Sequence, residues 1–369
     1  MSRSGQIEPA VLTRILHRWR QTRPRPADPN PLLSAEFRQT LCEYFCAQDG
    51  VAISRALAAK LSAARGVTVS FSAEAVAHPM SCRWSLCRAR GSHFTFPILP
   101  AGQLLEVVVE RWLSLFALYL GVAEQGIEGS SVINFNDLGV EPGLAFAGNA
   151  PEHILLPDFE FFKSRGYLDA RSHFARHQTP WGKRSPLVFW RCSSVGQKHH
   201  SILEMPRSRL CLLGQTMGPE WGDIGFTALF HISDEDAERL RRRQLVKEKV
   251  SWKTWDRHRF HIDIDGHASS YSGLFRKLLS GGLVLKVQSP EGSRQWYYDR
   301  LIAGENFVSI RSDLSDLVET VAYYRAHPRL AESIARRGRE LALSLNYEKE
   351  FAFALRAVRR AFSENAGRA

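Results

Sequence analysis

The sequence is short of lysine, of cysteines at metal-binding spacings, and of apolar runs that could cross a membrane. Six cysteines, at 42, 46, 82, 87, 192 and 211, are spread over 369 residues. The close pairs are C-x3-C and C-x4-C, so the usual C-x2-C zinc knuckle is absent. Six in this length are also too few for a disulfide-built scaffold. The most apolar helical stretch, Leu104–Ala123, is broken by Glu106, Glu110 and Arg111. Its clean part, Trp112–Ala123, is about 12 residues, well short of a bilayer span. The first residues lack the apolar core of a secretory signal and the last carry no retention signal, so the expected location is cytoplasmic. Neither G-x-G-x-x-G nor G-x-x-x-x-G-K-[ST] occurs, which removes the dinucleotide fingerprint and the P-loop. No repeat of fixed period and no low-complexity tract is present.

What the chain does have is arginine. Only 10 of the 49 Lys+Arg are lysine, the formal net charge is +11, and the pI is about 9.6. Such a surface attracts anions, and guanidinium suits bidentate phosphate contacts. A GC-rich genome produces the same bias without any function. Hydrophobic residues at 44% and charged residues at 24% describe an ordinary globular chain, long enough for two domains. Residues 8–21 form a basic amphipathic pattern, with Val11, Leu12, Ile15, Leu16 and Trp19 on one face. That helix either packs on its own domain or lies on an anionic membrane face. Pro24, Pro26, Pro29 and Pro31 then make a stiff linker.

From residue 33 onward helical and strand patterns alternate. Helices are predicted at Leu33–Ala47 and 102–122. Strands are predicted at Val67–Ser72, 93–99, Ser131–Phe135 and His153–Leu156. A second half brings strands at Leu187–Trp190, Ile224–Leu229, Arg259–Ile264, Leu283–Val287 and Phe307–Ile310. Its helices are predicted from Asp234, over about 270–279, and in a final block over 314–362 broken at Pro328. Alternation of this kind argues for an α/β fold with parallel sheets covered on both faces, in two lobes with a cleft between them.

Ligands of open parallel sheets bind beyond the carboxyl ends of the strands. Three such places carry usable chemistry. Asp137 follows VINFN, and Gly139 and Pro142 keep a helix from starting, so it is either a general base or a turn-capping aspartate. FWRCSS at 189–194 delivers Arg191, Ser193 and Ser194, with Lys198 behind; these suit phosphate oxygens, or Arg191 is paired with a carboxylate. HIDIDGHASSYSGLFRKLLSGG at 261–282 ends a strand at Asp265-Gly266 and starts a helix near Ser270. A helix N-terminus favours a diphosphate, and Arg276 and Lys277 add charge further along. Asp263 and Asp265 spell D-x-D but sit in and at the end of a strand, so no metal site is assigned.

The stretch 181–343 resembles glycosyltransferase family 90. The matching pieces are TPWGKRSPLVFWRCSS, FHIDIDGHASSYSGLFRKLLSGGLVLK, and the block from QWYYDR through RRGRELA. Upstream, VINFND and HILLPDFEFF are similar to the family's acceptor-lobe strand and the turn after it. The resemblance implies two Rossmann-like lobes of GT-B type with a C-terminal helical block. It also implies a UDP-sugar donor as co-substrate, inversion at the sugar carbon, and neither a cofactor nor an obligatory metal. Carried over, Asp137 is the acceptor-activating base, Arg191 and Ser193 fall on the "FRGS" turn, and Ser270, Ser272 and Gly273 on the donor-loop turn. The chain departs from the pattern twice: Cys192 replaces the glycine of that turn, and Leu274 replaces the arginine usual in "(F/Y)-S-G-R-F".

The expected organisation is a basic helix and linker over 1–31, an acceptor lobe over 32–180, a nucleotide-sugar lobe over 181–345, and a C-terminal helix over 346–369. The expected activity is sugar transfer from a UDP-sugar to a hydroxyl of a glycan or lipid-linked saccharide. Bacterial lipopolysaccharide or capsule synthesis is the expected setting, with peripheral contact at the inner membrane face. Asp137 is the base, with Asp158 the stand-in and Glu141 a weaker one. Arg191, Ser193, Ser194, Gly266, Ser270, Ser272, Gly273 and Arg276 hold the nucleotide sugar. Two rivals are a non-catalytic nucleic-acid-binding protein and a degenerate family member that binds glycan without transferring it. Against the first, Arg241–Arg243 share a helix with Asp234, Glu235, Asp236 and Glu238, and no nucleic-acid-binding motif appears, so no nucleic-acid partner is expected.

Overall fold

The structure is a computed structural model that describes residues 69–73, 80–87, 90–96, 111–112, 114–196 and 201–366. The basic helix at 8–21, the proline linker, Leu33–Ala47 with Cys42 and Cys46, the start of the 102–122 helix, and Lys198 lie outside the described residues. The chain divides into two compact units. One takes Met1–Ala145, Pro151–Ile154 and Ala352–Ala369, the other Phe146–Ala150 and Leu155–Phe351. The division therefore falls near 145–155 rather than at 180. Residues 155–180 pack into the second unit because Asp158 bonds Gln295, Tyr167 packs on Phe275, and Thr179 bonds Asp256.

The first unit contains β1 (Val69–Ala73), β2 (Ser81–Cys87), β3 (Gly91–Phe96), α1 (Phe116–Glu124), β4 (Gly129–Asn134), β5 (Gly143–Ala145) and β6 (His153–Leu155). The sheet order is β1-β3-β2-β4-β5-β6. β2 runs antiparallel to both neighbours, whereas β1 with β3 and β4 with β5 are parallel. This corrects the expectation of a parallel, Rossmann-like first lobe. Residues 88–90 are too few for the crossover that parallel neighbours need, so β2 and β3 pair as a hairpin. The core is aromatic: Trp84, Phe94, Trp112 and Tyr119 pack edge-on or stacked, and Phe362 closes on Trp84 at 5.1 Å between ring centres. Gly129 makes that closure possible. Its φ is +141°, and a Cβ there would lie 2.5 Å from the Cβ of Phe362.

The second unit contains α2 (Phe159–Lys163), α3 (Leu168–Arg176), β7 (Ser185–Ser193), α4 (Pro206–Met217), β8 (Gly222–Ala228) and α5 (Asp234–Arg242). After these come β9 (His258–Asp263), α6 (Ser272–Ser280), β10 (Leu283–Val287), β11 (Val308–Ile310), α7 (Leu317–Ala326) and α8 (Pro328–Ser344). A last helix, α9 (Tyr347–Ala366), begins in this unit and ends in the first. The sheet is parallel throughout, in the order β11-β10-β9-β7-β8. One face of its strands is apolar and the other carries Arg191, Asp223, His261, Asp263 and Lys286; all five residues of β10 are buried, as a sheet covered on both faces requires. Val188, Trp190, Ile262, Leu285 and Ile310 from the strands share one core with Leu210 of α4, Val321 of α7 and Ile334 of α8. Local chemistry fixes the helix starts. Pro206 opens α4 at its first turn. Ser233 caps α5, whose acids fill the first turn and arginines the last, matching the helix dipole.

The order of these strands matters for function. From β7 the chain moves outward to β8, then returns to the other side of β7 for β9, β10 and β11. The direction of winding reverses between β7 and β9, and the carboxyl ends of these two strands flank the crevice where such sheets take ligands.

Candidate active site

In the first unit, Asn134 ends β4 and organises the turn after it. Its side chain is fully buried; Nδ2 donates to the carbonyls of Glu141 (2.9 Å) and Leu144 (3.0 Å), and Oδ1 accepts from the amides of Val140 (3.1 Å) and Glu141 (3.0 Å). The turn is thereby folded back on the strand, with Asp137 on it. Arg111 holds Asp137 from the side: Nη2 donates to Oδ1 at 2.6 Å, and Nη1 donates to the carbonyl of Phe135. The Asp137 side chain keeps 31% of its surface open against 11% for Arg111. His153 lies alongside, its ring within 3.1 Å of where a Cβ on Gly139 would sit. Burial lowers the His153 pKa, with Glu152 opposing. Asn134, Arg111 and His153 are additions to the residues expected from sequence; Asn134 is visible in VINFN, but nothing in the sequence joins Arg111 to Asp137.

Asp158 is placed differently. It is the N-cap of α2, fully buried, accepting from the amide of Phe161 (2.8 Å), from the Tyr167 hydroxyl (2.9 Å to each oxygen) and from Gln295 Nε2 (3.1 Å). Burial pushes its pKa up to about 6, and these hydrogen bonds pull it back only in part. A carboxyl enclosed in this way does not open on a cleft, which corrects the expectation for Asp158 as a stand-in. Glu141 serves the turn through its backbone.

In the second unit, the turns after β7 and β9 are bound together by Arg207. It is 4% exposed and donates to three carbonyls: Ser193 (3.0 Å), Ile264 (3.2 Å) and Asp265 (2.9 Å). A side chain on Gly266 would come within 3.1 Å of this guanidinium. Ser194 is buried and closes a reciprocal pair with Phe230, donating to its carbonyl (3.0 Å) and accepting from its amide (2.8 Å). Arg191 is committed elsewhere. Its Nη2 pairs with Asp223 on β8 at 2.5 Å and Nη1 bonds the Asp223 carbonyl at 2.7 Å, while Lys247 meets the same carboxylate at 2.8 Å. Burial works to raise the Asp223 pKa, but Arg191 and Lys247 win and lower it. The phosphate role expected of Arg191 is thus replaced by an ion pair between adjacent strands.

Asp263, the last residue of β9, is the centre of a buried charge cluster. Oδ1 accepts from Ser270 Oγ (2.6 Å) and Lys277 Nζ (2.8 Å), and Oδ2 meets Lys286 Nζ at 3.3 Å. Lys286 also reaches Asp265 at 3.4 Å and lies 4.8 Å over the Tyr298 ring. Burial favours the neutral Asp263, yet Lys277, Lys286 and Ser270 outweigh it and hold the carboxyl well below the usual range. For Asp265 burial prevails over Lys286 and its pKa is raised. Asp263 cannot offer its oxygens to a metal without giving up both lysines, and among the described residues no group of three or more His, Cys, Asp or Glu is placed to hold one.

Ser270 is spent on structure as well. Its Oγ accepts the Leu274 amide (3.1 Å) and its carbonyl the Gly273 amide (2.8 Å), so it caps α6 while tying that helix to Asp263. Tyr271, between Ser270 and the helix, is held at φ 45°, ψ −124°. Leu274 is fully buried in the core and offers no charge to a ligand. Arg276, one turn into α6, bonds Ser272 Oγ at 3.2 Å and lies over the rings of Tyr167 and Trp252. Among the described residues, Arg276 is the expected cation that lies beside the start of this helix without a carboxylate partner. A narrow cleft opens at the carboxyl ends of β9 and β10, lined by Gly196, Arg207, Asp265, Gly266 and Ser289 and by Pro206 at the start of α4. Its volume of about 20 Å³ has room for roughly one water.

The family profile for glycosyl transferase family 90 matches residues 140–355. Protein O-glucosyltransferase 3 of Homo sapiens is 26% identical over 231 residues, 52% of this chain and 44% of that protein. Protein O-glucosyltransferase 2 of Danio rerio is 24% identical over 262 residues, 69% of this chain and 48% of that protein. The chain thus spans about half the length of the curated relatives it matches. A solved glycosyltransferase from Rickettsia africae aligns over 92% of this chain and 84% of its own at 9% identity, with a TM-score of 0.37.

Proposed function

The chain belongs to glycosyltransferase family 90, and from that premise we propose that it moves a sugar from a UDP-sugar to a hydroxyl of a glycan acceptor, with inversion. One observation carries the reading. The winding of the parallel sheet reverses between β7 and β9, and the 193–196 and 264–272 turns, the narrow cleft and the start of α6 all lie at the carboxyl ends of these strands. The uridine diphosphate is assigned to that edge. Asp137 in the first unit is assigned the base.

In the reaction, Asp137 takes the proton of the acceptor hydroxyl as that oxygen forms a bond to the anomeric carbon. The bond from that carbon to the β-phosphate oxygen breaks, and UDP leaves with the electron pair. Arg276 and the N-terminal end of α6 meet the new charge on the diphosphate. Arg111 holds the carboxylate and Asn134 the turn that carries it. The net charge of +11 suits an anionic, lipid-linked acceptor, and we place that acceptor among bacterial lipopolysaccharides or capsules handled at the inner membrane face.

The test is UDP release by the full chain from UDP-glucose, UDP-xylose or UDP-galactose in the presence of saccharide acceptors extracted from a bacterial envelope. The anomeric configuration of the product is read by NMR. Acceptor-dependent release with an inverted product is the expected result, and no release above acceptor-free controls contradicts it. A second reading, glycan binding without transfer, is favoured by the burial of Leu274 and the pairing of Arg191. It requires saturable acceptor binding in the same samples with no UDP formed.

A further inference from the structure

The opposite edge of the parallel sheet carries a larger cavity that the proposed transfer does not use. It has a volume of about 260 Å³ and lies at the amino ends of β7 and β9, beside the junction of α7 and α8. Trp181, Phe260 and Tyr324 give it aromatic walls, and Arg259, Arg325 and Glu220 its charge. The two arginines are anchored alike. Arg325 donates through Nε and Nη2 to the Pro186 carbonyl (3.2 and 3.1 Å) and through Nη2 to that of Trp221 (2.6 Å). Arg259 donates through Nε to the Trp181 carbonyl (3.2 Å) and through Nη2 to that of Gly182 (3.1 Å). Backbone carbonyls thus fix both guanidiniums by the same two nitrogens, and among the described residues neither has a carboxylate partner. The Trp181 indole nitrogen is buried in the wall without a hydrogen-bond partner. α8 starts at the cavity through Pro328, and its first turn has no acidic residue and no side-chain cap.

We propose that this cavity binds a small organic oxyanion, a phosphate or carboxylate on a flat apolar body, at a site separate from the donor nucleotide. Two pre-anchored guanidiniums meet the oxyanion with little ordering cost, since backbone bonds already hold them. The indole, phenol and phenyl rings take the apolar body. A cavity of about 150 Å³ already accommodates benzene, so 260 Å³ leaves space for a ring and its anionic group. Glu220, exposed at the rim, is the one acidic residue of the lining and opposes an anion.

Calorimetric titration of the full chain with phenyl phosphate, at constant ionic strength and saturating UDP, tests the site. One equivalent is expected to bind whether or not UDP is present. Inorganic phosphate is expected to bind more weakly and benzyl alcohol not at all. Arg259→Gln weakens binding about tenfold or more. Glu220→Gln, a rim change that leaves the packing alone, tightens it about two- to fivefold. UDP affinity stays the same in both variants. The proposal is overturned if phenyl phosphate fails to bind, if UDP displaces it, if inorganic phosphate or benzyl alcohol binds as tightly, or if neither substitution moves the affinity in its stated direction.

Discussion

Asp137, on the turn after β4, and Asp263, at the end of β9, are the same residue type at the carboxyl edge of a strand, yet they have opposite surroundings. Asp137 pairs with Arg111 at 2.6 Å and keeps 31% of its side chain open. Asp263 has two lysines and a serine and no exposure at all. A carboxylate that must accept a proton from a substrate has to be reachable. One that anchors two buried ammonium groups has to be enclosed with them. Strand-end position alone marks an aspartate as interesting, and its partners decide which of the two it is.

Substitutions at both positions sharpen this contrast. The largest effect is expected on turnover: Asp137→Asn lowers the transfer rate about 10²–10⁴-fold while UDP affinity is retained. Next comes Asp263→Asn, which takes the carboxylate partner from buried Lys277 and leaves buried Lys286 with Asp265 alone. Its expected cost is about 3–5 kcal/mol, read by urea unfolding. If Asp137→Asn were the more destabilising and Asp263→Asn the more inactive, the two roles would have to be exchanged.

Asp158 supplies a third case, a buried carboxyl with no cation among its hydrogen-bond partners. Its folded pKa is about 6 against an ordinary 3.8. The folded protein therefore holds this proton more tightly than the unfolded chain. The stability it confers is present below pH 4 and lost as pH rises through 6, a change of about 3 kcal/mol at most. Relative to Asp158→Asn, which keeps an N-capping oxygen, the wild type should lose stability across that window. A difference that grows with pH would show that the Tyr167, Gln295 and amide hydrogen bonds outweigh burial. The smallest effect is expected at Arg191. Because it is paired with Asp223, Arg191→Gln should change UDP affinity within about twofold, well under the 1.4 kcal/mol of a tenfold change.

The strands of the second unit are legible in two ways: Leu283–Val287 reads as a nearly continuous apolar run, and Arg259–Ile264 alternates, with Phe260, Ile262 and Ile264 in the core. Leu283–Val287 is a strand over those same residues, and Arg259–Ile264 is displaced by one. β2 was missed although SCRWSLC alternates, with Cys82, Trp84 and Leu86 buried and Arg83 and Cys87 exposed; its cysteines and serines masked the period. α4 was missed despite Pro206 at its start, where proline favours a helix's first turn. The site was legible only as positions along the chain. Which side chains are free depended on contacts distant in sequence: Arg191 with Asp223 across β7 and β8, Arg207 with the carbonyls after β9, and Arg111 with Asp137. None of these follows from periodicity, because strand order decides them.

The central claim is that the edge between β7 and β9 holds the donor nucleotide, and a UDP titration of wild type and Gly266→Val tests it most directly. Gly266 lines the narrow cleft against Arg207. The account predicts one UDP per wild-type chain and at least about a tenfold loss in Gly266→Val, with circular dichroism unchanged. A wild type that ignores UDP, or a correctly folded Gly266→Val that binds it equally well, would contradict the account.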